Sequence, residues 1–420
     1  MNNKNLNKFQ KLGNSLGANR TVMALSIARM GDAIGNSILI IVIPLYVAKL
    51  PSPWLPFPQT VRVGLLIAIF GLVNAFLQPI MGALSDKLEK RKMFIFLGLV
   101  LMGLATLGFI PANEYIDLVF LRVLQGIGVA VTVPASMALM ADASPKNMRG
   151  SAMGIYSTMR MVGFAVGPLI GGFLDEKYGF SITYLAGAFF IALGIIAVLL
   201  WVRDIKQKQP ASKIAVKFHI FDRNLINLGI IGASVATFIM ASDYSMISAL
   251  ENEFNAKLNQ GALAFGIAFS ALIISRLIFQ IPLGRLSDRI GRKPLIIGGL
   301  IFMAPVTLLL GMVVTSFQFT AVRVLQGIAS AAIAAPAFAL AADFSHSEGA
   351  GRQMSIVTMG FGLGIALGPL LTGALAVYAF ILPFIIAGII TIITAAFISK
   401  YVPEKFRKLE PVKVDDPPPS

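Results

Sequence analysis

The chain repeats itself. Arg122-Val-Leu-Gln-Gly-Ile127 recurs letter for letter as Arg323-Val-Leu-Gln-Gly-Ile328, 201 residues later. Gly163-x-x-x-Gly167-Pro168 returns as Gly364-x-x-x-Gly368-Pro369, and Asp142 as Asp343, both again at 201. Gly82-x-Leu84-Ser85-Asp86 returns as Gly284-x-Leu286-Ser287-Asp288 at 202. Motifs kept in one order at one spacing describe a duplicated unit of half the chain. The two copies are expected to form one pseudo-symmetric molecule.

Each copy is built from apolar runs long enough to cross a bilayer, which takes about 20 residues per helix. The runs are Thr21–Val47, Arg62–Leu84, Met93–Pro111, Asp117–Ala141, Ser151–Leu174 and Ser181–Val202, then Asn224–Leu250, Ala262–Leu283, Pro294–Thr315, Gln318–Ala342, Gln353–Tyr378 and Ile381–Lys400. Only 13% of residues are charged and 56% are hydrophobic. Soluble domains carry about twice that charge, so a soluble multi-domain protein is excluded. Open sheets would leave backbone groups unpaired in lipid. The expected fold is an all-α membrane protein of twelve transmembrane helices in two six-helix bundles. The first bundle covers residues 1–202 and the second 224–400.

The loop charges orient it. One side carries 26 Lys and Arg and the other carries Lys49, Arg62, Lys177 and Lys257. That bias places both termini and a linker at 203–223 in the cytoplasm. It accounts for the net charge of +15 without nucleic acid. A tail at 401–420 ends in Asp415-Asp416-Pro417-Pro418-Pro419 and reads as disordered. The first apolar run is too long for the core of a cleavable signal peptide.

Other chemistry lacks its residues. There is no cysteine, and the histidines are His219 and His346 alone, so no thiolate or His-based metal site is expected. No phosphate-binding Gly-x-x-x-x-Gly-Lys-Ser/Thr loop, His-Glu-x-x-His or Gly-x-Ser-x-Gly motif occurs. The chain is expected to be no enzyme and to carry no cofactor.

Charged residues inside the spans are the main chemical signal, since each costs roughly 2.5–3.5 kcal/mol at the bilayer centre on insertion scales. Asp32 lies near the middle of the first span, with Arg29 three residues away on the same face. Arg122, Arg160, Arg276 and Arg323 are also span-resident, and Asp243 sits closer to the outer end of its span, where it is expected to be hydrated. A buried carboxyl near an arginine gains or loses a proton when that contact changes. The rival reading is a permanent structural pair of Asp32 with Arg29 or Arg122. Five arginines against two aspartates also leave a positive surplus.

The segment Gly284-Arg-Leu-Ser-Asp288-Arg289-Ile-Gly291-Arg292-Lys293 resembles the loop signature of the major facilitator superfamily. Its first copy, Gly82–Lys92, departs from the pattern: Glu89 stands in place of the second glycine, and Lys87 and Lys90 in place of arginines. The chain also resembles the superfamily's twelve-helix drug:proton antiporters. Arg122-Val-Leu-Gln-Gly126-Ile-Gly128 is similar to their helix-4 motif. Gly163, Gly167, Pro168, Gly171 and Gly172 are similar to their helix-5 antiporter motif. Asp32-x-x-Gly35, with Pro44 beyond it, is similar to their first helix.

The helix-5 glycines also make sense as small residues that let two helices approach. The loop charges have a plain reading as topology and solvation. The resemblance implies a secondary transporter in the cell membrane, exporting small amphipathic or drug-like compounds in exchange for protons by alternating access. The arginine surplus keeps a proton-linked porter of an organic anion open; a non-transporting receptor lacks a partner-binding domain. Asp32 and Arg122 are the expected proton-coupling pair. Arg29, Arg160, Asp243, Arg276 and Arg323 are expected near a substrate cavity between helices 1, 4, 7 and 10. Gly82, Asp86, Gly284, Asp288, Arg289, Gly291 and Arg292 are the expected cytoplasmic gate, with Asp142, Arg149, Asp343 and Arg352 nearby. The molecule is expected to act as a monomer.

Overall fold

The computed structural model describes residues 19–88, 90–145, 148–202, 227–345 and 350–404. The linker at 203–223, the tail beyond residue 404, Glu89, His219, His346 and the Arg352 side chain lie outside the described residues.

Among the described residues, twelve helices are long and apolar enough to span a membrane. They are α1 Arg20–Val47, α2 Gln59–Leu88, α3 Arg91–Gly108, α4 Tyr115–Ala143, α5 Arg149–Tyr178, α6 Phe180–Trp201, α7 Leu228–Ser245, α8 Ala262–Ile290, α9 Arg292–Leu310, α10 Ser316–Asp343, α11 Ala350–Ala376 and α12 Leu382–Tyr401. A 3₁₀ turn, Met246–Ala249, extends α7 and leads into a short cap helix, Glu251–Leu258. No strand occurs among the described residues.

Side chains start the helices where orphan backbone N–H groups need acceptors. Asn19 accepts from Val22 N at 2.9 Å, Asn227 from Ile230 N at 3.0 Å and Thr315 from Gln318 N at 3.2 Å. Interior prolines recur in register between the copies, as Pro134 with Pro336 and Pro168 with Pro369.

Several helices run further than the hydropathy suggests. Ser85–Asp86 and Gly284–Asp288, beyond the spans read from sequence, belong to the last turns of α2 and α8. A helix satisfies its own backbone bonds whether it lies in lipid or among headgroups, so loss of hydropathy does not end it. The break after α8 falls at Gly291, whose φ of +102° favours glycine.

The helices form two groups, α1–α6 and α7–α12. In the first, α1 packs on α5 and α6, and α3 on α4; in the second, α7 packs on α11, and α8 and α9 on α10. The groups meet through α2 against α11 and α5 against α8. These seams lie toward one side of the molecule, opposite the basic side where α1 begins and α12 ends. On that far side, Thr60 Oγ1 donates to Gly373 O at 2.8 Å and Asn252 Nδ2 to Pro44 O at 2.8 Å. Backbone also meets backbone there: a Cβ at Gly64 would lie 2.7 Å from Leu370 Cα, and one at Gly172 2.7 Å from Leu263 Cα. Ile41 and Ala165 of the first group join the apolar core of the second.

On the basic side the groups stand apart. A Cβ at Gly150, Gly154 or Gly362 would meet nothing within 4 Å. Gly82 faces only Pro134 and Gly284 only Ala335, each in its own group. Ser157, Thr158, Ser355 and Thr358, polar residues of α5 and α11, are exposed there. The molecule is closed on the far side and open toward the basic side.

Candidate functional site

The central charges of the first group gather on α1 and α5. Asp32 is 2% exposed. Arg29, one turn nearer the basic side, donates to its Oδ2 as a paired charge. Arg160 of α5 adds a second positive neighbour, and the buried Tyr156 ring lies 5.8 Å from the Arg29 guanidinium. Asp32 is twelve residues into α1 from the basic side and Arg160 eleven into α5, so they share a depth. Asp32 Oδ1 has no hydrogen-bond partner, which leaves one carboxylate oxygen available for another donor.

The second group faces this cluster with Tyr244, Arg276 and Phe361. The Arg276 guanidinium lies 5.9 Å from the Tyr244 ring and 5.5 Å from Phe361. Arg160 and Tyr244 are electrostatic neighbours across the two groups. The Arg160 guanidinium is also 5.3 Å from Phe164. Arginines bedded on aromatic faces, with one carboxylate among them, place charged and apolar surface side by side. The polar residues of this cluster come from α1, α5, α7 and α8, with Phe361 added by α11, rather than from helices 1, 4, 7 and 10 alone.

Arg122 is not the partner of Asp32 in this conformation. Its Nη1 donates to Gln125 Oε1 at 3.1 Å, Gln125 Nε2 donates to Thr106 Oγ1 at 3.0 Å, and its guanidinium lies 5.4 Å from Phe70. The reason is depth. Arg122 is seven residues from the far end of α4 and Asp32 fifteen from the far end of α1. At 1.5 Å per residue the two levels differ by about 12 Å.

The second copy repeats the Arg122 arrangement. Arg323 donates to Gln326, and its Nη1 also donates to Tyr244 O at 3.0 Å, with Phe269 5.5 Å from its guanidinium. Gln326 Nε2 donates to Asp243 O at 2.9 Å and lies 3.5 Å from Thr307 Oγ1. Asp243, expected to be hydrated, is 2% exposed. Thr391 Oγ1 donates to its carboxylate at 2.8 Å and Thr307 Oγ1 at 3.4 Å. Helix packing explains the difference: the carboxylate turns inward onto Thr307 of α9 and Thr391 of α12.

The helix-5 glycines pack α5 onto α1. A Cβ at Gly163 would sit 2.7 Å from Met30 O, one at Gly167 2.8 Å from Ile34 O, and one at Gly171 3.2 Å from Ile38 Cα. Ser37 Oγ donates to Gly163 O at 3.2 Å across the same seam. Pro168 and Gly172 look the other way, onto Gly266 and Ala262–Leu263 of α8. The motif thus sets the distance of α5 from both its own group and the opposite one.

At the basic side each charged motif closes on its own group. Arg91 pairs with Asp142 and, at 2.7 Å, with Asp86; Arg292 pairs with Asp288 and, at 3.4 Å, with Asp343. Arg292 Nη1 also donates to Ser287 Oγ at 2.8 Å, and Arg149 Nε to Ala141 O at 3.0 Å. Arg91, missed in the sequence reading, organises the first copy. The signal was available, because Arg91 and Arg292 are 201 residues apart. Arg276, two turns before Gly284, lies away from these charged ends, against Tyr244 and Phe361. Among the described residues no cluster of His, Cys, Asp and Glu is fit to hold a metal.

Comparison with known proteins agrees with this architecture. The model of the Major Facilitator Superfamily matches residues 25–241 and 233–418. The chain belongs to that superfamily of membrane transporters. Among curated relatives, the multi-drug resistance efflux pump PmrA of Streptococcus pneumoniae is 28% identical over 317 residues, covering 74% of this chain and 79% of the relative. The multidrug resistance protein MdtG of Escherichia fergusonii is 28% identical over 337 residues, covering 78% and 81%. Among solved structures, a bacterial homologue of the human lysosomal transporter Spinster, in an inward-facing and occupied conformation, superposes with a TM-score of 0.73 at 16% identity, covering 90% of this chain and 95% of that one. The nucleoside transporter NupG superposes at 0.72 and 13% identity, covering 90% and 98%. These likenesses show the fold.

Proposed function

We propose that the chain is a secondary transporter that exports small amphipathic compounds from the cytoplasm in exchange for protons, by alternating access. It works as a single copy in the cell membrane, with both termini in the cytoplasm. The observation that carries this reading is the buried Asp32 carboxylate, paired with Arg29 beside Arg160, on the wall of a space open to the basic side alone. The positive-charge bias identifies the basic side as cytoplasmic. The names of relatives, efflux pumps for multiple drugs, support the substrate class.

Asp32 takes a proton when the far side opens and loses it when its arginine contacts re-form with the far side closed. Each arginine contact stabilises the ionised carboxylate. A substrate that donates to the ionised Asp32 carboxylate, through its unpartnered Oδ1, competes with the proton for that group, which ties the two movements in opposite directions. Arg122 and Arg323 anchor α4 and α10 through their Gln and Thr partners. The charged ends of α2 and α8, with Gly82, Asp86, Gly284, Asp288, Arg289, Gly291 and Arg292, form the cytoplasmic gate, which is open in this conformation.

A second reading has its own observation. Arg29, Arg160 and Arg276 border the same space against one carboxylate, Asp32. That surplus favours an organic anion as the amphipathic substrate. Reconstituted vesicles with the basic side outward and an acidic lumen distinguish the two. Cationic and anionic members of one amphiphile series are offered, and accumulation is read for each. Accumulation of cationic or neutral members supports the first reading, and of anionic members alone the second. Accumulation of none, in vesicles shown to hold folded protein, removes both.

A further inference from the structure

The far-side seam holds a carboxyl that the central site does not use. Glu251, the first residue of the cap helix, is fully buried, and neither of its carboxyl oxygens has a hydrogen-bond partner of good geometry. The cap helix is fixed on one face by Phe254, packed among Phe265, Phe319, Phe380 and Phe384 of the second group. Its other face meets the first group, where Asn252 donates to Pro44 O at 2.8 Å. Asp175, near the far end of α5, brings its carboxylate to Glu251 from the opposite group. Asp175 Oδ1 is likewise buried without a hydrogen bond. Two carboxyls from different halves, Glu251 fully buried and Asp175 half-buried, thus share a seam that exists only while the far side is closed.

The surrounding charges do not neutralise Glu251. From α5 come Asp175 and Glu176, and from the loop after α1 comes Lys49. The cap helix itself adds Glu253 and Lys257. Lys49 Nζ lies 4.4 Å from the Phe180 ring, and Lys257 Nζ donates to Gly311 O at 2.8 Å. Lys177 lies over Phe173 and Tyr178. At this end α8, α11 and α12 present no charged side chain among the described residues, while α7 carries Asp243, held by Thr307 and Thr391, and α10 carries Arg323, which donates to Gln326 and Tyr244 O. Asn255, one turn along, is the nearest polar group favouring the ionised form.

We infer that Glu251 and Asp175 form a proton-binding latch between the two halves, which holds the far side closed when protonated and releases it when ionised. Burial and the neighbouring Asp175 both push the Glu251 carboxyl well above the usual carboxylate range in the closed state. In the open state the pair separates into water, and its affinity for protons falls to the ordinary value. Closing therefore takes up a proton. Acid favours the closed far side, and rising pH opposes it. The latch meets solvent only by opening toward the far side, so its proton returns where it came from. It sets the balance between conformations and does not add to the protons exchanged for substrate. The external pH thereby regulates the carrier at a place separate from Asp32.

This inference rests on alternating access but not on the substrate. The chain lacks cysteine, so single spin labels go onto Trp54→Cys and Phe317→Cys, highly exposed far-side positions in different halves. Distances between them are measured by pulsed electron resonance on the full chain in lipid nanodiscs, from about pH 5 to about pH 8. The wild type is expected to move from the short to the long population as pH rises. Glu251→Gln is expected to hold the short population throughout and to shrink the pH-driven change at least about fivefold. Asp175→Asn, which leaves Glu251 in place, should lower the midpoint by about one pH unit. A wild-type pH response in both variants would overturn the latch. A single unchanging distance in the wild type, at every pH and with candidate substrates, would overturn alternating access as well.

Discussion

Arg29 holds Asp32 from one turn away on the same helix, and Arg160 reaches the same level from α5. The pair is local to α1, so it survives any rigid rotation of one half against the other. What a change of conformation alters is the group that faces Arg160 from the other half, Tyr244 of α7, and with it the hold of Arg160 on Asp32. The proton-linked step is therefore expected to be felt through Arg160 more than through Arg122.

Asp32→Asn is expected to abolish uphill accumulation driven by a proton gradient while leaving downhill exchange of labelled substrate. The two assays are run on one vesicle preparation. The variant leaves Arg29 buried without its counter-ion, a loss of about 3–5 kcal/mol where no water reaches. Thermal stability is measured alongside, with Arg29→Ala as the partner. If both variants melt far below the wild type, the pair is structural; if Asp32→Asn folds and still concentrates substrate, the coupling assignment fails and Asp243 is the next candidate.

Gly167→Val should damage the fold. The new side chain would be forced onto Ile34 O and Ser37, and overpacking of this kind costs about 1–3 kcal/mol. Gly154→Val, on the same helix but beside open space, should leave stability within about 0.5 kcal/mol. Melting curves of the purified variants compare them directly.

Thr60→Val removes the hydroxyl that donates to Gly373 O across the far-side seam. The loss of a hydrogen bond worth about 1 kcal/mol shifts the equilibrium about fivefold toward the open far side. Modification of a far-side seam cysteine, introduced at Leu370, should speed up by a similar factor. An unchanged rate would show that the bond does not distinguish the states.

Asp288→Asn should slow transport while leaving equilibrium substrate affinity within a few-fold. Asp288 pairs with Arg292, which also reaches Asp343. Loss of one partner leaves the ends of α8 and α10 less firmly set, without touching the central space. Wild-type turnover in this variant would remove Asp288 from the gate.

The fold was readable because two simple signals agreed. Apolar length marks each spanning helix, and the 201-residue spacing pairs the halves. The span-resident arginines and Asp32 were also visible as charges with no cheap place in lipid. Their partners were harder. Counting residues from the basic side sets Asp32 level with Arg160, but the resemblance drew attention to Arg122. Asp243 reads as near an edge until Thr307 of α9 and Thr391 of α12 are seen to hold its carboxylate inside the group. Glu251 lies in a polar stretch, Glu251-Asn-Glu-Phe-Asn255, that looks like an ordinary exposed loop. Its burial depends on Phe254 inserting into an aromatic cluster drawn from three other spanning helices and the α11–α12 turn. Contacts that distant leave no local pattern.

The central claim is that substrate and protons cross in opposite directions through one site. Vesicles loaded with a pH-sensitive dye and holding no initial pH gradient test it most directly. Substrate added to the basic side should acidify the outer medium and raise the internal pH as it enters, and Asp32→Asn should erase that signal. Substrate entry by the folded wild type with no change in internal pH would contradict the account.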